Sequence, residues 1–514
     1  MRLKHLLPDP LSGWAMGSGL LLALSFPRPD LAFVAWFALV PLFMVMDKQP
    51  FRTGFLAGMG FFGLVLYWLN IVMTTYGRLH PLLSVVAYLM LVAYLSLFFG
   101  AATWAACRCK EKLGLSTIIT LPVFWVALEF VRSFLLSGFP WATLGYSQQS
   151  HLALIQSADL FGPYGLSFLL ILANAVLARA GRELLEKRYR KIPWVALLLT
   201  AALFAANLGY GVFRLDQNLD ERGRVLRTVL VQGSIDQSVK WNPTYQARTV
   251  AIYRELSFAG EGSKPADLIV WPESAVPFYF QQGGPLTEAV AEVPLRADAY
   301  LLLGSPAFEV KDRQERYYNS AFLLSPRGEV LGRSDKVHLV PFGEYVPFGP
   351  LLPFVGKLVV GIGDFSPGTV SPLPMNGARI GVLVCFEGIF PELARDYVRK
   401  GSDLLVNITN DAWFGRSSAP YQHLAMIRFR AVENRIWVAR AANTGISALI
   451  APSGHIVAQS PLFERMALTG QVGLGARPTL YTRYGDVLPW LCLIGAAGLL
   501  FLAWLRSHAA KRGR

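Results

Sequence analysis

Residues 379–391 read RIGVLVCFEGIFP. Ile380 to Val384 are apolar and mostly β-branched around one Gly, the pattern of a buried strand in a layered domain. Cys385 follows at once, then Phe386, Glu387 and Gly388, and a helical pattern, PELARDYVRK, opens at Pro391. A thiol on a strand–turn–helix junction can project from a rigid edge beside a helix N-terminus, the setting of a nucleophile. A buried core cysteine has the same local signature, so this stretch alone leaves both readings open.

The surrounding composition restricts the choice. Of 514 residues, 53% are hydrophobic and only 16% charged, against about a quarter charged in an ordinary soluble domain. This is the balance of a membrane protein with room for two or three domains. The net charge of +14 lies in short Lys/Arg clusters between long apolar runs, as cytoplasmic loops do. No basic, aromatic-studded stripe of the nucleic-acid-binding kind is present. The four cysteines are Cys107, Cys109, Cys385 and Cys492, and they make no disulfide framework. Cys107 and Cys109 lack further Cys or His nearby, which argues against zinc.

Apolar stretches able to span a bilayer fall at about 11–27, 31–46, 54–75, 82–106, 114–131, 161–178, 193–212 and 486–505, predicting eight transmembrane helices. The first follows MRLKH but has no small-residue cleavage site, so it reads as a retained helix rather than a signal peptide. With the N-terminus inside, the inner loops carry Lys48 and Arg52, then Arg108, Lys110 and Lys112, then Arg182, Lys187, Arg188, Arg190 and Lys191, while the tail adds Arg506, Lys511, Arg512 and Arg514. The short outer loops carry little beyond Arg28, Arg78 and Arg132. This positive-inside bias puts the long segment before the last span on the outer face. The expected organisation is 1–213 as helices one to seven, 214–484 as an external domain, and 485–514 as helix eight with a basic cytoplasmic tail.

Within the external segment, strands are expected at 225–233, 267–272, 299–304, 320–325, 379–385, 403–408, 436–442 and 446–451, with helices near 243–259, 286–296, 391–400 and 420–435. Such alternation argues an α/β layered fold. Two outer stretches, 345–366 (YVPFGPLLPFVGKLVVGIGDFS) and 134–147 (FLLSGFPWATLGYS), are unusually apolar. They fit either buried loop packing or surfaces that dip into the outer leaflet to admit an acyl chain. In the second case the 345–366 loop is expected to open laterally.

Three motifs end strand-like runs in this segment: Trp271-Pro272-Glu273-Ser274, Asp335-Lys336-Val337-His338-Leu339-Val340-Pro341-Phe342-Gly343-Glu344, and Cys385-Phe386-Glu387-Gly388. Each by itself fits a solvated strand end. Together they supply a carboxylate, an ammonium and a thiol at the places where an α/β fold converges. A thiol is only a few per cent thiolate at neutral pH. A desolvated carboxylate can take its proton, and an ammonium favours the thiolate and later an oxyanion. The set is complete for acyl transfer. His338, a lone imidazole beside a strand, fits a structural role. Arg428, Arg430 and Glu433 recur at helical spacing as a solvated or packing face, and Glu129 with Arg132 reads as an interfacial anchor.

The order Glu, Lys, Cys within WPES, DKVHLVPFGEY and VCFEGIFPE resembles the nitrilase (carbon–nitrogen hydrolase) superfamily. With the flanking spans, GFPWATLGYSQ at 138–148 and NDAWFG at 410–415, the chain resembles its membrane-bound branch, the apolipoprotein N-acyltransferases. The resemblance implies an external α-β-β-α sandwich beside an α-helical membrane bundle, with Glu273 as general base, Lys336 as oxyanion stabiliser and Cys385 as nucleophile. It also implies that Glu344 positions the lysine and that Glu387 is an essential neighbour of the cysteine. Trp241, Phe386, Trp413, Phe414 and Tyr146 become candidate substrate contacts, although Trp241 and Trp413 also fit core aromatics. Phe386 departs from the tyrosine of better-known members. The implied reaction passes an acyl chain from a phospholipid, usually phosphatidylethanolamine, through a cysteine thioester to the N-terminal amine of a diacylglyceryl-cysteine apolipoprotein. No cofactor or metal is implied, the expected state is a monomer, and the expected place is the bacterial inner membrane with the catalytic domain periplasmic. A membrane-tethered amidase is the alternative.

Overall fold

The computed structural model describes residues 10–217, 223–261, 265–311, 313–346 and 364–512. Residues 347–363, most of the apolar 345–366 loop, lie outside the described residues. The chain divides into two compact units, Met1–Asn70 with Pro81–Arg214 and Tyr484–Arg514, and Ile71–His80 with Leu215–Arg483.

Twelve strands organise the second unit: β1 (Val225–Gln232), β2 (Leu268–Val270), β3 (Tyr300–Lys311), β4 (Gln314–Leu324), β5 (Val330–Asp335), β6 (Leu373–Met375), β7 (Ala378–Val384), β8 (Leu404–Thr409), β9 (Val438–Ala442), β10 (Ala448–Ile450), β11 (Ile456–Gln459) and β12 (Met466–Gly473). They form two six-stranded sheets, ordered β12-β1-β2-β3-β4-β5 and β11-β10-β9-β8-β7-β6. β1, β2 and β3 run parallel, as do β7, β8 and β9, so each sheet has a parallel centre and antiparallel edges.

Side-chain alternation explains the layering. Leu226, Leu230, Leu268, Val270 and Leu302 point from one sheet into a core completed by Ile380, Val382, Val384, Val406 and Ile408 of the other. The opposite face of the first sheet, with Val229, Val231, Ile269, Trp271 and Leu301, packs on Val250, Tyr253, Val290 and Val293. The last four belong to helices α1 (Pro243–Glu261) and α2 (Pro285–Ala297). Helices α3 (Pro391–Arg399) and α4 (Ala419–Asn434) contact β7 and β9 on the outer face of the second sheet. The result is the α-β-β-α order, with central strands covered on both faces and therefore reading as continuous apolar runs. Each buried Leu, Ile or Val contributes about 1.5–3 kcal/mol.

The eight expected strands all form. β5, β6, β11 and β12 are further strands that the sequence reading misses. β5 (VLGRSD) and β11 (IVAQ) are partly exposed along most of their length, and β6 is three residues long, so none presents a long buried apolar run. The four helices lie within about two residues of expectation, and Pro285, Pro391 and Pro420 sit in the first turns where a missing N–H is harmless.

The first unit is helical. Among the described residues, Pro81–Leu113, Ala158–Leu185, Trp194–Leu215 and Val487–Ala509 are long and apolar enough to cross a membrane, and the bent pair Pro50–Val65 with Leu69–Tyr76 makes a fifth if counted as one span. The stretches expected at 11–27, 31–46 and 114–131 form shorter helices: Pro10–Ala23, the pieces Ala32–Trp36 and Val40–Val45, and Thr117–Arg132. A 14-residue helix rises only about 21 Å against a hydrocarbon thickness of about 30 Å. Pro27, Pro29 and Pro41 interrupt this region, because proline cannot donate to the helical ladder.

Close helix contact rests on small residues. A Cβ on Gly54 would lie 2.6 Å from the Phe99 carbonyl oxygen, and one on Gly58 would lie 2.7 Å from Ser96 Cα. Pro50–Val65 and Pro81–Leu113 thus approach backbone to backbone, as membrane helices do through small-xxx-small spacing. Glu129 and Arg132 are not an exposed anchor but buried clamps. Glu129 Oε1 accepts the Leu144 N–H at 2.8 Å, and Arg132 Nη1 donates to the Trp141 carbonyl at 2.7 Å. Both hold the 138–148 loop, whose irregular backbone needs such partners away from water.

Candidate active site

β7 delivers Cys385 at its C-terminal end. The strand stops because Cys385 takes φ +54°, a left-handed conformation unusual for a residue with a side chain. A single 3₁₀ turn, Cys385–Ile389, then leads into α3. The residue is half-buried. Burial pushes its thiol up to about 12; the Glu273 and Asp411 charges act in the same direction, and Lys336 and the Thr409 hydroxyl oppose them. The resting sulfur is therefore a thiol, and nucleophilic attack requires a base to take its proton.

Glu273 follows β2 and Lys336 follows β5, so two strands of the first sheet bring a carboxylate and an ammonium within electrostatic reach of the thiol of the second. Glu273 Oε1 accepts Asn319 Nδ2 at 2.7 Å, and Oε2 accepts the Asn410 N–H at 2.9 Å. Lys336, 1% exposed, lies 3.9 Å from Glu273 Oε1 and 2.9 Å from Glu344 Oε2. Burial alone would lower the ammonium's pKa, but Glu344, Glu273, Cys385 and Glu387 together hold it above its ordinary value. Lys336 is consequently a fixed cation. Glu344 also accepts Asn319 Nδ2 at 2.9 Å and the Val340 N–H at 2.8 Å, so one asparagine joins both carboxylates.

Glu387 is turned toward backbone N–H groups. It is buried, with Oε1 accepting the Val337 and His338 N–H groups at 2.6 and 3.0 Å and Oε2 accepting the Val384 N–H at 2.6 Å. It ties the backbone just after Lys336 to the backbone just before Cys385. Burial pushes its carboxyl up to about 7, against the pull of these N–H groups and Lys336.

The aromatic candidates divide. Phe386 is half-buried and meets Phe390 edge-on at 5.2 Å. Trp413 is half-buried in the turn after β8, T-stacked on Tyr76 at 5.3 Å, and Phe414 meets the His423 ring at 6.3 Å. Trp241 is 37% exposed. Tyr146 is buried in the helical unit and is not among the groups gathered around Cys385. His338 lies against Phe390 with ring centroids 3.8 Å apart, a packing role. Arg430 and Glu433 are wholly buried and paired at 2.7 Å, so their face packs rather than meeting water.

Sequence reasoning misses Asn319, Asn407, His423, Arg440 and Lys240. Asn319 and Arg440 sit in buried strands, and a polar or charged group there must have a specific partner. That was the available signal. Lys240 is wholly buried and donates to the Glu273 carbonyl at 3.0 Å. Burial lowers its pKa to about 8, against the attraction of Glu273 and Cys385.

Comparison with known proteins accords with this arrangement. Residues 227–477 match the carbon–nitrogen hydrolase family, and residues 18–176 match the apolipoprotein N-acyltransferase N-terminal domain. The apolipoprotein N-acyltransferase of Geobacter metallireducens is 50% identical over 498 residues, covering 96% of this chain and 95% of that protein. That of Methylococcus capsulatus is 34% identical, covering 97% of each. Among solved structures, Saccharomyces cerevisiae Nit3, a nitrilase-superfamily member, covers 53% of this chain and 96% of its own at 19% identity and a TM-score of 0.38. Identity sustained through both the helical region and the two-sheet unit means that this chain belongs to the apolipoprotein N-acyltransferase family.

Proposed function

We propose that the protein transfers an acyl chain from a phospholipid to the N-terminal amine of a diacylglyceryl-cysteine apolipoprotein, by a ping-pong route through Cys385. The observation that carries this reading is a half-buried thiol under the combined fields of the Glu273 carboxylate and the Lys336 ammonium. Glu273 takes the Sγ proton as sulfur attacks the ester carbonyl, and Lys336 stabilises the oxyanion. The ester C–O bond breaks, the lysophospholipid oxygen receives the proton from Glu273, and a thioester remains. The acceptor amine then attacks, Glu273 takes its proton, the C–S bond breaks and the thiol is restored. Glu344 and Glu387 position Lys336 and Cys385, and no cofactor takes part. Trp241, Phe386, Trp413, Phe414 and Tyr146 are the candidate substrate contacts.

Names of full-length relatives support acyl transfer to apolipoprotein as the activity, and the N-terminal domain match favours it over a tethered amidase. In the same reading the donor is phosphatidylethanolamine and the enzyme acts as a monomer. Residues 1–213 and 485–514 supply eight membrane passes, the shorter apolar helices included. Residues 214–484 face the periplasm from the bacterial inner membrane, as the charge bias of the loops favours.

Intact-mass analysis after exposure to phosphatidylethanolamine tests the chemistry. One acyl mass, labile to hydroxylamine and located on Cys385, is expected on the native protein and none of that character on Cys385→Ser. A wild-type level of thioester in the variant would overturn the assignment. Release of ammonia from small amides in place of acylation would favour the amidase.

A further inference from the structure

Behind the nucleophile lies a buried polar network with no place in the mechanism above. Arg440 on β9 is wholly buried; its Nη2 donates to Asp411 Oδ2 at 2.6 Å, and its Nη1 donates to Asn407 Oδ1. Asn407 on β8 turns its Nδ2 to the Leu383 carbonyl at 2.8 Å and the Cys385 carbonyl at 3.4 Å. His423 on α4, wholly buried, lies with Nδ1 3.2 Å from both Asp411 Oδ1 and Arg440 Nη2, and with Nε2 3.2 Å from the Cys385 carbonyl oxygen. Thr409 donates to the same Asp411 oxygen at 2.9 Å. Asn407 and His423, backed by Arg440, Asp411 and Thr409, thus meet one carbonyl, that of the residue whose backbone is left-handed.

We propose that His423 is a positioning residue for acyl transfer: its Nε2–H, with Nδ1 accepting from an Arg440 guanidinium that Asp411 holds in place, clamps the Cys385 carbonyl and so fixes the nucleophile's peptide plane. A carbonyl oxygen only accepts, so Nε2 carries hydrogen in either charge state of the ring. His423 therefore cannot serve the sulfur as a base through that nitrogen, which leaves proton transfer to Glu273. Burial and the Arg440 charge hold the imidazole pKa below its ordinary value, consistent with a neutral ring used as a donor.

The effect on the reaction follows from peptide geometry. A left-handed non-glycine residue persists only where its surroundings over-determine it, and φ +54° at Cys385 is such a case. The peptide bond is planar and trans, so holding the Cys385 carbonyl also fixes the direction of the Phe386 N–H. That N–H opens the Cys385–Ile389 turn, where first-turn donors have no intrahelical acceptor. It is thus available to an oxyanion developing on the acyl group. Loss of the clamp should slow attack more than it loosens lipid binding, since the network acts on the Cys385–Phe386 peptide and its ring contact with an aromatic candidate is the edge of Phe414.

This inference rests on Cys385 as the acylated thiol, and the test separates the two. Full-length protein in nanodiscs of phosphatidylethanolamine would be followed by intact mass for the rate of acyl-enzyme formation against lipid content. His423→Phe, which keeps a ring but no donor, should acylate about ten- to a hundredfold more slowly. Its half-saturating lipid content should stay within about twofold of the native value, with the unfolding temperature preserved. His423→Gln, which restores an N–H donor, should recover most of the rate. A folded Phe variant at the native rate, or a folded Gln variant no faster than Phe, would overturn the clamp. If Phe does not fold, Gln decides alone, since a folded Gln variant tenfold slower than native overturns the proposal and a near-native one supports it. Absence of any acyl mass on the native protein would instead refute the proposed function. Iodoacetamide reactivity of Cys385, resolved by peptide mass, would then judge the clamp by the same ordering of native, Gln and Phe.

Discussion

The surroundings of Cys385 favour the protonated thiol. Burial pushes the thiol up to about 12 although Lys336, a permanent cation, is close enough to pull the other way. Desolvation and the Glu273 carboxylate outweigh that single ammonium, because taking a charge out of water costs more than one partner returns. The sign is checkable. A thiol with a raised pKa has a thiolate fraction that climbs about tenfold per pH unit well above neutrality, whereas an ordinary cysteine levels off near pH 8.5. Alkylation of Cys385 by iodoacetamide, read by peptide mass, is expected to rise through pH 7–10 with no plateau. Levelling near pH 7 would mean a resting thiolate and would remove the need for Glu273 as a base.

At the level of elements, the site exists because strand ends from opposing sheets meet. β2 and β5 end in Glu273 and Lys336 on one sheet, and β7 and β8 end in Cys385 and Asn410 on the other. Glu387 sets their mutual register, with three backbone N–H groups from two segments on one carboxylate. Glu387→Ala leaves those buried donors unpaired, at about 1–3 kcal/mol each. Glu387→Gln substitutes an NH₂ that can only donate where N–H groups already point. Both variants are expected to unfold at lower temperature, Ala by more, and to form acyl-enzyme at least about tenfold more slowly. A Gln variant with native melting and native acylation would show that the bridge does not hold the site.

At the scale of the whole chain, the proposed topology puts the two-sheet unit on the outer face, on the charge pattern of the loops. Position 330, half-exposed at the start of β5, and position 190, exposed in the Tyr189–Lys191 turn, report on opposite sides in that reading. In spheroplasts, Val330→Cys should react with a membrane-impermeant maleimide, and Arg190→Cys should react only after permeabilisation. The reverse pattern would invert the topology and deprive Cys385 of external substrates.

The core strands, the four covering helices and the converging carboxylate, ammonium and thiol motifs were legible in the sequence, because buried parallel strands are continuous apolar runs and their ends are where charges can stand. The membrane region was less so. Hydropathy finds apolar stretches but not where Pro27 and Pro29 separate short helices, and among the described residues four or five long spans appear where composition suggests eight. The edge strands β5, β6, β11 and β12 were hidden because a half-solvated edge need not be apolar. Sequence determined local character: which runs are buried, which residues could carry acyl chemistry, and which loops are basic. Only the tertiary structure decided partnership. Asn319 joining two carboxylates, Glu387 joining two backbones, and His423 with Asn407 at the Cys385 carbonyl all link residues distant in sequence, and long-range pairing of buried polar groups leaves no periodicity to read.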